Sequence, residues 1–325
     1  TREVASTTAC NNCHNPLKFH DGARREVGLC ILCHTGQTTD PDTGNTLDFR
    51  VMVHKIHRGR FLPSVQAGTP YQLKGFEPRD YSTVWYPQPI QRCAACHTGA
   101  QGDYAFSRPG RVACASCHDQ TCFDAWCFTG DYQNPTMPLP GGMTRHVQPE
   151  ADDSNCLACH GPTAAAGVQK THQTKATDPA APVLELGIVA VEGAGPGQKP
   201  QLVFDVLENG ARRNILDSAK KLPFLAVTVA GPTTDYAGYW QYVVQGKGAK
   251  GTLVADGDRF RYTLPTAIPA NAAGSFAIGM EGYLQPGGVL GPRYVARNPV
   301  AYFAVTDATA VPRRTVVDES RCNRC

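Results

Sequence analysis

The sequence has no excess of either charge: 31 Lys and Arg stand against 28 Asp and Glu, a net of +3. A nucleic-acid binder needs a basic surplus to neutralise phosphates, so that class is set aside. No apolar run approaches the length of a membrane-spanning helix. The residues at Thr1 do not read as a leader peptide. With 32 Gly and 25 Pro, the chain is too heavily punctuated for a helical bundle. From Pro182 to Val311 there is neither cysteine nor histidine. All ten His and twelve of the 14 Cys lie before residue 173, and the remaining two Cys close the chain. That distribution argues against an ordinary single-core enzyme and for two differently built halves.

The segment without Cys and His reads as short strands: Val183–Val191, Gln201–Val206, Pro223–Val229, Arg259–Leu264, Ser275–Leu284 and Val300–Val305. Several alternate apolar and polar residues, as in Phe260-Arg261-Tyr262-Thr263-Leu264. Asn209-Gly210 and Asp256-Gly257 are hairpin or turn signals between them. Seven or eight such strands predict an all-β antiparallel domain of Greek-key type, a sandwich or split barrel. Ala176–Pro182 looks like a linker. The expected division is a loop-rich, Cys- and His-rich domain with short helices over 1–180, a β domain over 181–313, and the start of a further, truncated domain of the first kind over 314–325.

The first domain contains five copies of Cys-x-x-Cys-His, the attachment signature of c-type haem. They are Cys10/Cys13/His14, Cys30/Cys33/His34, Cys93/Cys96/His97, Cys114/Cys117/His118 and Cys156/Cys159/His160. Two Cys on one turn of chain can form thioethers to the two vinyl groups of a porphyrin, and the adjoining His then faces the iron from the same side. A zinc ribbon also uses paired Cys-x-x-Cys knuckles, and Cys10/Cys13 with Cys30/Cys33 has such a spacing. Zinc gives no reason for His after every second Cys. Five proximal His leave five others, namely His20, His54, His57, His146 and His172. The count predicts five bis-histidine, low-spin irons. His54 and His57, at i and i+3 on a predicted helix over 48–58, would serve two neighbouring haems. Met52, Met137, Met143 and Met280 are available as ligands but are not needed. Irons with both axial positions filled by protein carry electrons. A multihaem reductase acting on a small oxyanion, the alternative, would need an open iron.

Three smaller features remain. Cys122 and Cys127 lie just beyond the fourth motif and lack a following His, so they are expected to form a disulfide in an oxidising compartment outside the cytoplasm. Cys322-Asn-Arg-Cys325 stops one residue short of a sixth motif, and the expectation is a piece of a longer protein. Asp40, Asp42 and Asn45, with Asp48 following, could hold calcium, although the loop lacks the EF-hand pattern and a turn explains it equally.

Together these features resemble the OmcA/MtrC family of outer-surface decahaem cytochromes of metal-reducing bacteria. The resemblance is carried by Ala9-Cys-Asn-Asn-Cys-His-Asn-Pro-Leu-Lys-Phe-His20, the Asp40–Asn45 loop, Val53-His-Lys-Ile-His-Arg58 and Asp153-Ser-Asn-Cys-Leu-Ala-Cys-His160. In the β half it is carried by Ile278–Tyr283, Pro299–Thr306 and Val311–Cys325. It implies one pentahaem domain and the following β domain of a longer protein, on the outer membrane surface or secreted, with the periplasm as alternative. It further implies electron receipt through redox proteins and an outer-membrane conduit, and delivery to metal oxides, soluble metals or flavins. The β segment departs from the family in having no Cys, so flavin behaviour dependent on a disulfide there does not transfer.

Overall fold

The computed structural model describes residues 3–74, 78–128, 139, 142–175 and 177–322. Cys325, Met137 and Ala176, each part of an expectation above, lie outside the described residues. The chain forms two compact units, Thr1–Thr177 with Glu319–Cys325, and Asp178–Asp318.

The first unit is built of short pieces joined by turns. Its helices are α1 (Thr7–Cys10), α2 (Val27–Cys33), α3 (Phe49–Arg58), α4 (Pro63–Gln66), α5 (Tyr104–Ser107), α6 (Arg111–Cys117), α7 (Cys156–His160), α8 (Val168–Thr171) and, from the C-terminal end, α9 (Glu319–Cys322). Two minimal ladders join β1 (Gln72–Leu73) to β2 (Arg79–Asp80), and β3 (Thr121–Cys122) to β4 (Thr144–Arg145). The longest helix, α3, starts where Asp48 accepts the Arg50 N–H at 2.9 Å. It ends at Gly59, whose φ of 46° suits glycine and where a Cβ would stand 2.3 Å from the Val84 carbonyl oxygen. Lys55 and Arg58 occupy its last turn, where positive charge complements the exposed carbonyls.

The second unit is a β-sandwich. One sheet has the order β10-β11-β6-β5, with β7 also on β6. The other has the order β13-β12-β8-β9, with β14 also on β12. The strands are β5 (Leu184–Glu192), β6 (Gln201–Glu208), β7 (Ala211–Arg212), β8 (Phe224–Gly231), β9 (Gly238–Gln245), β10 (Thr252–Asp256), β11 (Arg259–Thr263), β12 (Ser275–Leu284), β13 (Tyr294–Val295) and β14 (Val300–Ala304). All pairings are antiparallel, and the chain changes sheet after β7, β9 and β11. Phe204, Val206, Phe260 and Tyr262 from one sheet and Val227, Val229, Ile278 and Met280 from the other share one core, which makes this a sandwich rather than a closed barrel. The Asn209-Gly210 pair closes the β6–β7 hairpin with φ of 52° and 76°. At the second turn signal the two-residue loop is Gly257-Asp258, because Asp256 itself pairs with Arg259.

The six expected strands are present with ends shifted by at most two residues. Two longer strands escaped the pattern, β9 and β10. Both stand at the end of a sheet. An edge strand buries less of its faces, so only Val244 and Gln245 of β9 are buried, and it loses the alternation that marks a strand.

Candidate functional site

All five Cys-x-x-Cys-His segments form one helical turn. His14, His34, His97 and His118 each donate their backbone N–H to the first Cys of their motif at 2.9–3.0 Å, and Cys156–His160 is itself helix α7. On such a turn, residues i, i+3 and i+4 share a face. Both thiols and the imidazole therefore point the same way. All ten motif cysteines stand outside any disulfide. Among the described residues no group of three or more Cys, His, Asp or Glu stands together as a bare metal ion would need.

The anchors differ from a pocket-lining set in their exposure, and the first and fifth motifs show it plainly. Cys13 and Cys159, expected as haem-binding residues, are not enclosed by protein: both are exposed, whereas Cys10 and Cys156 of the same motifs are half-buried. Cys33 and Cys96 are likewise exposed, and only in the fourth motif is the second cysteine, Cys117, half-buried. Cys33 and Cys159 stand at the C-terminal ends of α2 and α7, and Cys13 and Cys96 lie beyond the helical segments Thr7–Cys10 and Cys93–Ala95, where they remain open to solvent. Cys13 and Cys159 are therefore open to a group lying outside the polypeptide, rather than walls of a cavity within it.

The ten histidines come together in five pairs, each of one motif and one non-motif ring. His14 faces His57 with ring centroids 6.1 Å apart, His34 faces His20 at 6.2 Å, His97 faces His54 at 5.9 Å, His118 faces His172 at 6.1 Å and His160 faces His146 at 6.1 Å. A metal held between two imidazole nitrogens at about 2 Å each separates the ring centres by about 6 Å, so the pairs fit a bis-histidine iron. His54 and His57 pair with different motifs, which follows from their separation by one turn on α3.

Five rings are fixed through Nδ1. His34 donates to the Leu47 carbonyl at 3.0 Å, His57 to Val53 at 2.8 Å, His146 to Gln148 at 2.9 Å, His160 to Ala166 at 2.9 Å and His172 to Val168 at 2.8 Å. A carbonyl can only accept, so the proton sits on Nδ1 and Nε2 is left as the ligand atom. His54 and His97 lie in the most enclosed pair, and the buried Nδ1 of each falls short of a well-formed hydrogen bond to the neighbouring backbone of Arg50 and Val4 respectively. Burial, then the charge of His97, pushes the His54 pKa down to about 4. Burial likewise lowers His97, His118 and His14. Neutral imidazole is the form that ligates a metal.

Apolar side chains around these pairs lack cover. Ile31, Leu32 and Leu157, the residues between motif cysteines, are exposed, as are Leu29 and Val112 on the motif helices. Phe61, Trp85 and Tyr86 line a cleft of about 430 Å³ beside His57. Paired thiols open to the outside, facing imidazoles and uncovered apolar walls are what a covalently attached porphyrin requires.

A family model described as outer membrane cytochrome MtrC/MtrF-like, domains II/IV, matches residues 2–173. The chain belongs to this family. The multiheme cytochrome MtrC of Shewanella baltica (strain OS185) is 26% identical over 245 residues, covering 74% of this chain and 30% of that protein. The crystal structure of the outer membrane decaheme cytochrome OmcA matches with a TM-score of 0.61 at 20% identity, over 100% of this chain and 51% of that one, a likeness of fold. The chain thus spans about a third to a half of the length of these relatives.

Within this MtrC/MtrF-like unit, other residues support the sites. The Cys122–Cys127 disulfide forms, with both residues buried. Asp40 is buried, with its carboxylate accepting from the Lys74 N–H at 2.6 Å, Thr43 Oγ1 at 2.9 Å and the Asp42 N–H at 3.1 Å. Asn45 donates to the Gln72 carbonyl and Asp48 caps α3. These oxygens thus close a turn and start a helix. Sequence reasoning missed Asp119, which directly follows His118. Its carboxylate accepts from Lys55 Nζ at 2.8 Å, the Ser64 N–H at 3.0 Å and Ser64 Oγ at 2.5 Å, tying α3 and α4 to the fourth motif. Its partners lie 64 and 55 residues away in the chain, so no local spacing announces it. Tyr86, with its ring 5.7 Å from His57, and Phe123, 5.0 Å from His146, were also silent in the sequence.

Proposed function

We propose that this chain is an extracytoplasmic electron-transfer module carrying five c-type haems. Residues 1–180 form the pentahaem domain, 181–313 a β domain that spaces or docks it, and 314–325 the start of a further haem domain. The observation that carries the reading is the one-to-one matching of five motif histidines with five others at 5.9–6.2 Å. Cys10 and Cys13, Cys30 and Cys33, Cys93 and Cys96, Cys114 and Cys117, and Cys156 and Cys159 are the covalent anchors. The axial pairs are His14/His57, His34/His20, His97/His54, His118/His172 and His160/His146. Bound there, haem supplies a reversible one-electron carrier, at a lower potential than a His/Met site would give.

The thiols also link neighbouring motifs. Burial, then Cys96 and Cys30, pushes the Cys10 thiol up. Cys93 acts on Cys117, and Cys114 on Cys156, after the larger effect of burial. The helix α3 serves the first and third motifs together, lending His57 and His54 to them. A series of this kind is a conductor. Its place on the outer surface, its supply through an outer-membrane conduit, and its acceptors (metal oxides, soluble metals, flavins or redox proteins) are proposed on the strength of the family. The reductase alternative needs an open iron, and the pairing uses all ten histidines.

The test is the intact mass of the denatured holoprotein taken with its ferric and reduced spectra. Five covalent haems with low-spin bands throughout are expected. Fewer than five, or a high-spin component in the native protein, would overturn the reading. A sixth would locate haem at Cys322 and Cys325 in a longer chain.

A further inference from the structure

We propose that the Cys122–Cys127 disulfide is a positioning device for His146, the ring that faces His160; this rests on the five-pair reading above. His54 and His57 are built into α3, and His172 caps α8. His146 has no helix beneath it. It follows the two-residue strand β4, and among the described residues the disulfide loop and its approach supply much of what holds β4, beside the bond from His146 Nδ1 to the Gln148 carbonyl at 2.9 Å. Thr144 donates its N–H to the Gln120 carbonyl at 2.8 Å. Thr121 pairs with Thr144, and Cys122 with Arg145. The His146 N–H donates to the Cys122 carbonyl at 3.0 Å, and Arg145 Nε to the Cys127 carbonyl at 2.5 Å. The Glu150 N–H reaches the Phe123 carbonyl at 2.8 Å, while the Phe123 ring lies 5.0 Å from that of His146. A further anchor, from Arg111 Nη1 to the Glu150 carbonyl at 2.8 Å, stands four residues beyond the histidine.

The two carbonyls that grip Arg145 and His146 thus belong to the two bridged cysteines themselves. The bridge fixes their Cα atoms 6.4 Å apart and makes them one rigid jaw. Phe128 stands where a motif would need His, so the pair has no haem of its own to anchor. Both cysteines are buried, at 4% and 1% exposure, which suits a clamp better than an exposed exchange site. Opening the bridge lets the jaw spread, since Arg145 and His146 then hang from two independently mobile carbonyls. The fifth iron would be left with His160 alone in a substantial share of molecules.

The test is the Cys122→Ser/Cys127→Ser variant of the holoprotein, examined in the ferric state beside the parent protein, whose bridge no reductant has touched. The expected result is a full complement of covalent haem, with a high-spin ferric signal approaching one haem in five that free imidazole abolishes. His146→Gly provides the reference spectrum. A variant that keeps its haems and remains wholly low-spin overturns the proposal. If the variant loses haem during maturation, the mature parent protein is opened with a phosphine and alkylated. The same high-spin signal is then expected, and its absence is equally decisive against the clamp. A parent protein that is already high-spin at one site refutes the five-pair reading instead, so the two failures are told apart.

Discussion

Asp119 offers the sharpest test of how the haem-bearing unit is held together. Its side chain is 4% exposed and that of Lys55 17% exposed, so their 2.8 Å ion pair is largely withdrawn from water. Removing one partner of a buried pair costs about 3–5 kcal/mol, because the other charge is left behind. Two features discount that figure for Asp119→Ala. The Lys55 ammonium can turn towards solvent, and it already lies 5.0 Å from the Tyr71 ring centre, an interaction of about 1 kcal/mol that survives. Against this, the Ser64 N–H and hydroxyl lose their acceptor together. The net expectation is about 3 kcal/mol. Lys55→Ala leaves the carboxylate with both Ser64 donors and should cost about 1–2 kcal/mol. The order therefore matters as much as the size. Denaturant unfolding followed by Soret circular dichroism reads the haem-bearing unit alone, since all five complete motifs lie in it. An Asp119→Ala cost under about 1 kcal/mol, or a Lys55→Ala cost exceeding it, would refute the account of Asp119 as the tie between α3, α4 and the fourth motif.

Other predictions follow from single sites. His54→Met should raise the potential of one haem in a redox titration while the other four keep theirs, and five unchanged potentials would contradict the His54/His97 pairing. The Arg50 guanidinium hydrogen bond holds the Asp48 carboxyl below its usual range. A depressed pKa contributes stability that is present above the unfolded value of about 3.9 and is lost as pH falls through the lower folded value. The start of α3 should therefore loosen in acid, by a modest amount because the Arg50 side chain is 58% exposed. Asp48→Asn, which still caps, should remove that acid dependence from the visible spectrum, and identical acid profiles for the two proteins would count against it. In the β unit, Phe204→Ala opens a fully buried site against Phe260, 5.6 Å away, and should cost about 3–5 kcal/mol by thermal or denaturant unfolding.

What the sequence made legible was whatever is written locally. The Cys-x-x-Cys-His turns, the α3 helix and the central strands all follow from residues within one or two turns of each other. Ser275–Leu284 was placed to the residue because β12 is buried along nearly its whole length. The count of ten histidines implied five pairs, but the assignment of partners is a long-range fact. His54 finds His97 across 43 residues of chain, and nothing in the intervening segment encodes it. The same holds for Asp119 and for the contact of Phe123 with His146. The exposure of Cys13 and Cys159 was equally illegible, because a motif states which residues share a turn and not what the rest of the chain lays over them. Edge strands β9 and β10 were missed for the opposite reason: they are local, but half-solvated, so their pattern is blurred.

The division of apolar residues explains why the first unit cannot be an ordinary domain. Among the described residues, 26 apolar side chains are buried in the β unit and six in the longer haem-bearing unit. A protein interior packs as densely as an organic crystal, and a unit of that length with six buried apolar side chains has no such interior of its own. Yet the apolar residues are present, at Leu29, Ile31, Leu32, Phe61, Trp85, Val112 and Leu157, and they stand uncovered beside the paired histidines. Uncovered apolar surface on this scale drives association unless something fills it. Large planar groups, fixed covalently through the paired thiols and set between the paired imidazoles, would cover those side chains and supply the missing core. Packing several such groups into so short a length of chain also forces them close together. Stability and conduction then have one cause, which is why a fold this poor in apolar contacts suits an electron carrier.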